Sequence, residues 1–324
     1  MLTKLTISFA TYLNSYCYVK NSYNMKSNMK KILGLLMLGA VITACNDDDD
    51  KDELIPIRVK SEIDIKSRAG DGQDKQIVSG QTVSLFVTIK DDLDTPAFSN
   101  VRLTADGDGD FTYSHEGQGT IYYPLFAEKF DFYAVHPYMS TNTLSALTTF
   151  SVKTDQRAAA DFYESDLMYA DHKNVQRTKD KVSLTFHHKL SKITFKMLQE
   201  EDRDFSGLSS IEVMNVATTT QIDLATGKLT PVTNQGTSNI WAHGIGSSTS
   251  SELTHGAALI VPQIFPADQE LLRVTLDGTT YTYRSNAQIV FEEEVQYNFK
   301  IKVYNNSVTF DLSAQDWDKD PDHI

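Results

Sequence analysis

From Leu54 onward the apolar residues of this chain recur at every second position and almost nowhere at helical spacing. Alternation of that kind puts apolar side chains on one face of an extended backbone and polar ones on the other, so it argues against a helical fold and for strands with one wet face. Ile55, Ile57, Val59, Ile63 and Ile65 share one parity, while Arg58, Lys60, Glu62 and Asp64 share the other. Further strands are predicted at "TVSLFVTI", at "FTYSHEGQGTIYYP" as a hairpin, and at "FDFYAVHPY" and "SALTTFSV". Residues 155–181 are more polar, and predict a short helix near Ala158 to Tyr163 followed by a long connection. A second β-rich block opens at "VSLTFHHKLSKITFKML" and continues through "SSIEVMNV", "GAALIVPQIFP", "LLRVTL", "TTYTYRS", "QYNFKIKVYN" and "SVTFDLSAQDW". Turn signals such as Thr226-Gly227 and Asp277-Gly278 separate several of these runs. Many short strands with little helix between them predict an all-β chain of two tandem Greek-key β-sandwich domains, at 54–185 and 186–324.

The first 53 residues have a different texture. Ile32 to Ala44 is an uncharged run preceded by Lys30 and Lys31, whereas a helix needs about 20 apolar residues to cross a bilayer core. A basic start, a short apolar core and a small residue before the cut describe a secretory signal peptide. Ile42-Thr43-Ala44-Cys45 resembles the lipobox of bacterial lipoproteins, in which cleavage between Ala44 and Cys45 leaves an acylated cysteine as residue one. The signal would then start at Met29, or less favourably Met25, and Cys17 would be absent from the product. Residues 1–44 form the upstream extension and signal, and 45–53 an acidic linker. Each buried methylene contributes roughly 0.8 kcal/mol, so acyl chains on Cys45 would hold the chain to membrane lipid without a spanning helix.

Removing residues 1–44 takes away five lysines and no acid, so the formal charge moves from −13 to about −18. Such a surface repels phosphate backbones, which argues against nucleic acid as a partner. "DGDGDF" at Asp106 to Phe111 has acids at alternate positions, but an EF-hand loop needs Gly at Phe111 and Glu at Gly117, so a glycine-rich turn fits better. His187 and His188 are adjacent on a strand and face opposite ways, which disfavours a shared metal. No G-x-S-x-G, H-E-x-x-H or phosphate-binding loop is present, and neither an enzyme nor a cofactor is expected. The aromatic clusters "IYYP", "FDFYAVHPY" and "TTYTY" fit core better than a sugar-stacking platform.

"TIYYP", "FDFYAVHPY", "SDLMYA", "FHHKLSKITFKM", "ALIVPQ", "YNFKIKV" and "SAQDW" occur in an order and spacing that resembles the fimbrillins, subunits of the type V pili of Bacteroidota. The resemblance covers nearly the whole chain after Cys45. It implies that both sandwiches are transthyretin-like and that the precursor is exported as a lipoprotein to the outer membrane and cell surface. In that family an acidic stretch after the lipidated cysteine is a surface-export signal, and Asn46, Asp47, Asp48, Asp49 and Asp50 look like one. An arginine-specific protease then cuts after the first strand, and another subunit's terminal strand fills the groove left behind. Arg68 is the expected cleavage point, past the strand and before a glycine-rich loop; Arg58 would split the strand itself.

The candidate exchanged strands are the alternating segment carrying Ile57, Val59, Ile63 and Ile65, and the last strand with Val308, Phe310, Leu312 and Ala314 on one face. The implied partners are other fimbrial subunits, outer-membrane lipid through Cys45, the arginine-specific protease, and a receptor on a host or bacterial surface. A surface carbohydrate-binding lipoprotein, or an uncleaved anchor or tip subunit, are the alternatives to a stalk subunit.

Overall fold

The computed structural model describes residues 53–63, 73, 76–94, 96–113, 119–141, 143–199, 205–232, 235–246, 255–305 and 307–317. In chain order the strands are β1 (Val59–Ile63), β2 (Thr82–Ile89), β3 (Phe98–Ala105), β4 (Phe111–Tyr113), β5 (Lys129–His136), β6 (Leu147–Ser151), β7 (Met168–Gln176), β8 (Val182–His188), β9 (Ser191–Gln199) and β10 (Leu208–Val216). They continue as β11 (Thr219–Asp223), β12 (Leu229–Pro231), β13 (Ser238–Trp241), β14 (His255–Ile260), β15 (Gln263–Phe265), β16 (Glu270–Leu276), β17 (Thr279–Arg284), β18 (Ile289–Phe291), β19 (Val295–Val303) and β20 (Val308–Asp316). Among the described residues a short helix, α1 (Ala159–Glu164), buries Phe162 and stands where the sequence predicts one. The chain is all-β in character, as its alternation requires.

Seven strands form one sheet in the order β1-β8-β7-β5-β2-β3-β4. Four smaller sheets follow: β13-β10-β16-β17, β14-β9-β19-β20, β12-β11-β6 and the ribbon β15-β18. Two apolar clusters fill the interior, and the middle of the large sheet lies between them. Val83, Leu85 and Val87 of β2 enter one cluster while Phe86 enters the other; on β5, Phe132 and Ala134 oppose Tyr133 and Val135. Both faces of these strands are dry, which is why their sequences read as continuous apolar runs instead of alternating ones. β6 pairs with β11, so Phe150 and Val152 belong to the cluster formed mainly by later strands.

Two local expectations are corrected. The polar stretch after α1 is not a connection: residues 168–176 form β7, paired with β5 from His136↔Met168 to Lys129↔Gln176. Only Met168, Tyr169 and Ala170 of this strand are buried; its polar remainder hid it. Its bulge is held by buried Asp131, which accepts from the Asn174 amide at 2.6 Å while Asn174 sits at φ 61°. The hairpin expected at 111–124 is also not one among the described residues. Phe111–Tyr113 pairs with β3, and Tyr122 bridges to Pro56.

"DGDGDF" closes a turn. The Asp106 carboxylate accepts from the amides of Asp108 at 2.8 Å and Asp110 at 3.0 Å, and Gly107 and Gly109 supply φ of 93° and 98°. Asp110 pairs with Lys181.

Candidate functional site

β1 is bonded on both edges. Along one it runs parallel to β8, from Val59↔Val182 to Ile63↔Phe186. Along the other, the Ser61 amide donates to the Gly109 carbonyl at 2.7 Å, and the Ile57 amide to the Ile121 carbonyl at 2.9 Å. The Tyr123 amide returns a bond to the Ile55 carbonyl at 2.9 Å, and the Tyr113 hydroxyl donates to the Ile57 carbonyl. The strand is therefore inserted between β8 and the β4–Tyr123 wall, and closes the large sheet on itself.

Its alternation explains the insertion. Ile57, Val59 and Ile63 are 0%, 6% and 8% exposed, with Ser61 the one polar residue on the inner face. The Ser61 hydroxyl is satisfied by the Gly109 carbonyl at 3.2 Å. Lys60 and Glu62 point outward and pair at 2.6 Å, and Ser183 of β8 donates to Glu62 at 3.0 Å. These two contacts hold the Glu62 carboxyl below its ordinary range, Lys60 contributing most. The pair is exposed and adds little stability. Burial of the three aliphatic side chains contributes about 5–8 kcal/mol as an upper figure.

The other candidate strand is an edge. β20 pairs with β19 along its whole length, from Val303↔Val308 to Val295↔Asp316, and no strand covers its other side among the described residues. Val308, Phe310 and Leu312 are half-buried against the larger cluster, and the Phe310 ring lies 5.6 Å from that of Tyr283. Thr309, Asp311 and Ser313 face solvent, and Ala314 is exposed as well. Tyr281 and Tyr283 of "TTYTY" are half-buried against that cluster.

A polar cluster escaped the sequence reading. Asp166, just after α1, is buried and accepts from His188 Nδ1 at 2.9 Å through one carboxylate oxygen and from Gln73 Nε2 at 3.3 Å through the other. His136 Nδ1 donates to the Asp166 backbone carbonyl at 2.7 Å. The His188 ring stacks on Trp317 at 4.1 Å, the planes 9° apart, and the Lys192 ammonium lies 5.4 Å from the same indole. The Trp317 amide donates to the Glu294 carbonyl at 2.9 Å. The outer end of β20 is thus pinned to β8 and to Asp166.

Burial alone would raise the Asp166 carboxyl. The charge and hydrogen bond of His188, then His136 and Lys192, outweigh it and hold this carboxyl below its ordinary range. Burial pushes the His136 imidazole down, with Asp166 opposing in part. His188 faces inward on β8, as alternation requires, and works with a carboxylate and an indole. Apart from Gln73, each of these side chains falls inside a motif quoted above: "FDFYAVHPY", "SDLMYA", "FHHKLSKITFKM" and "SAQDW". Four of the segments that carry the resemblance meet at one point in space.

The remaining expected site residues, Ala44, Cys45, Asn46 to Asp50, Ile65 and Arg68, lie outside the described residues. Gln73, which anchors Asp166, is the described residue that follows Arg68 most closely.

The family profile described as fimbrillin-like matches residues 67–317. A Bacteroides uniformis protein provisionally named fimbrium subunit Fim1C is 24% identical over 309 residues, covering 89% of this chain and 96% of that one. Among solved structures, a provisionally designated cell adhesion protein from Bacteroides uniformis superposes with a TM-score of 0.61 at 24% identity, covering 81% of this chain and 98% of its own. A second, from Bacteroides ovatus, gives a TM-score of 0.66 at 18% identity, covering 82% and 98%. At these identities the superpositions speak for the fold; the profile match over most of the chain identifies its kin. The chain belongs to the fimbrillin-like family.

Proposed function

We propose that this protein is a fimbrial subunit that polymerises by strand exchange and serves adhesion at the cell surface, a structural and not an enzymatic role. The observation that carries this is the state of β1: a short strand bonded on both edges, whose departure would open a groove with unpaired donors and acceptors and an apolar floor. β20 has the matching properties, an open edge and an apolar row of Val308, Phe310 and Leu312.

In this proposal the precursor is cut between Ala44 and Cys45, acylated on Cys45 and carried to the outer membrane with Asn46 to Asp50 as the surface-export signal. Sandwich domains at 54–185 and 186–324 form the body. Cleavage at Arg68 by an arginine-specific protease releases lipid, acidic linker and β1 together, and the β20 strand of another subunit takes the vacated place. Gln73, bonded to Asp166 and to the Tyr163 carbonyl, holds the new N-terminal segment to the body.

Purified, lipid-free precursor treated with an arginine-specific protease tests the scheme. The expected outcome is a new N-terminus at Ala69 and a ladder of species that survives mild detergent. A chain that resists at Arg68 and forms no polymer is an anchor or tip subunit, and the stalk assignment fails.

A further inference from the structure

The outer face of the sheet β13-β10-β16-β17 carries a constellation that strand exchange does not use. Trp241 of β13 stands directly opposite Glu212 of β10, and Glu212 directly opposite Arg273 of β16, so the three side chains share one face in a row. The indole is held by its backbone: the Trp241 amide donates to the Thr154 carbonyl at 2.8 Å, and the Gln156 amide to the Trp241 carbonyl at 3.0 Å.

That 154–156 segment brings in Arg157, whose guanidinium lies 4.8 Å from the Trp241 ring centre. Asp155 fixes it through two bonds, from Nε at 2.8 Å and from Nη2 at 2.6 Å. Three of its five N–H donors remain for other partners. At the other end of the row Arg273 is tied to Glu270 through Nε at 3.1 Å.

Between the two arginines, Glu212 is only 7% exposed. Its carboxylate makes no hydrogen bond or ion pair with any described residue, although Arg273 and Arg157 act on it at longer range. The carboxylate oxygens themselves reach the surface, where water or a ligand can donate to them. Burial pushes this carboxyl above its ordinary range, with Arg273 and Arg157 opposing and Glu270 adding to the effect, and no described residue donates to it.

We infer that this face is a binding site for a neutral sugar, whose hydroxyls donate to Glu212 and accept from Arg157 and Arg273 while the ring lies against the Trp241–Arg157 wall. The chemistry is selective. A sugar offers paired donors and acceptors together with a C–H face, which matches an acceptor flanked by donors beside an aromatic plane. Asp155 balances Arg157, while Glu270 is shared by Arg273 and Arg284, so with Glu212 the acids and arginines of this face offset one another and a neutral ligand suits it better than an acidic glycan. The two guanidiniums likewise disfavour a compact cation. This site stands independently of strand exchange, and the aromatic clusters "IYYP", "FDFYAVHPY" and "TTYTY" are not part of it.

The test is calorimetric titration of the purified mature chain with lactose, maltose, cellobiose, chitobiose and mannobiose, with sialyllactose and choline as contrasts. At least one neutral disaccharide is expected to bind in the millimolar range or tighter, at roughly 20 mM or below. Glu212→Gln and Arg157→Ala should each weaken it by about tenfold, while Lys300→Ala, on another sheet, leaves it unchanged. Glu212→Gln must melt no lower than the parent at neutral pH, since burial disfavours the charged form that it removes; weaker binding in a protein of equal or greater stability separates a recognition role from a structural one. No binding by any neutral disaccharide, undiminished binding in both variants, or binding of choline or sialyllactose in their place overturns the assignment.

Discussion

Asp166→Asn is the most direct probe of the buried cluster that ties β5, α1, β8 and the end of β20 together. The substitution keeps the shape and leaves an oxygen to accept from His188 or Gln73, but removes the negative charge that faces His188 at 2.9 Å and His136 through the adjoining carbonyl. Breaking one member of a buried charged pair costs about 3–5 kcal/mol. For a chain of this size each kcal/mol moves the midpoint by roughly 2–4 °C, so the variant should melt about 6 °C lower or more.

The pH dependence of the parent has a defined sign. The folded His136 imidazole lies below its ordinary 6.5, so the unfolded chain takes up a proton that the folded chain resists, and stability present above 6.5 is lost as pH falls through that value. Asp166 is held below its ordinary 3.8, so its contribution is present above that value and is lost as pH falls toward the lowered folded value. Both losses are on the acid side, in two successive windows. Near-ultraviolet circular dichroism melts between about pH 8 and 2 measure both, with the emission of buried Trp317 reporting the stack on His188. An Asp166→Asn protein that melts within 2 °C of the parent at pH 7, or a parent midpoint flat across this range, would refute the reasoning.

Val59→Asp places a charge on the inner face of β1 and should destabilise the uncut precursor by more than about 4 kcal/mol in denaturant melts, yet have no effect on material already cut at Arg68. Phe310→Ala removes a half-buried ring, and should cost the monomer about 1–3 kcal/mol while reducing polymer yield on detergent gels far more. Glu212→Gln should raise the melting midpoint above the window between the ordinary 4.5 and the raised folded value, because a raised carboxyl loses stability as pH rises through that window; at acid pH the two proteins should melt alike. Gly227→Ala introduces a Cβ 2.3 Å from the Tyr169 ring at a backbone φ of 69°, and should cost about 2 kcal/mol or more by chemical denaturation.

Much of this architecture is written in local pattern. β1 and β20 alternate cleanly because each has one wet face, and that signal identified both as candidate exchange strands. Where a strand lies between two dry layers, as β2 and β5 do, alternation vanishes and only length and β-branched content remain to mark it. β7 inverts the problem: six of its nine residues are not buried, so its polar text reads as loop. The Asp166 cluster was illegible for another reason. Its members are contributed from residues 73, 136, 166, 188 and 317, and no local window contains Asp166 together with a side chain that it bonds. Glu212 stands within a strand whose other residues are mostly buried, and only the register with Trp241 and Arg273 gives it neighbours.

The parallel pairing of β1 with β8 also sets an order of events. Val59 meets Val182 across about 120 residues, a closure that costs about 4 kcal/mol in chain entropy before any contact forms. β7 and β8, by contrast, are joined by a short loop and pair across Met168↔His188. An emerging chain therefore makes its first strand early and seats it late, after the walls that receive it exist. Withdrawal of that strand reverses a closing step of folding and need not disturb the earlier ones. In the proposed scheme that order leaves a body assembled independently of the piece it holds, which a different strand would complete.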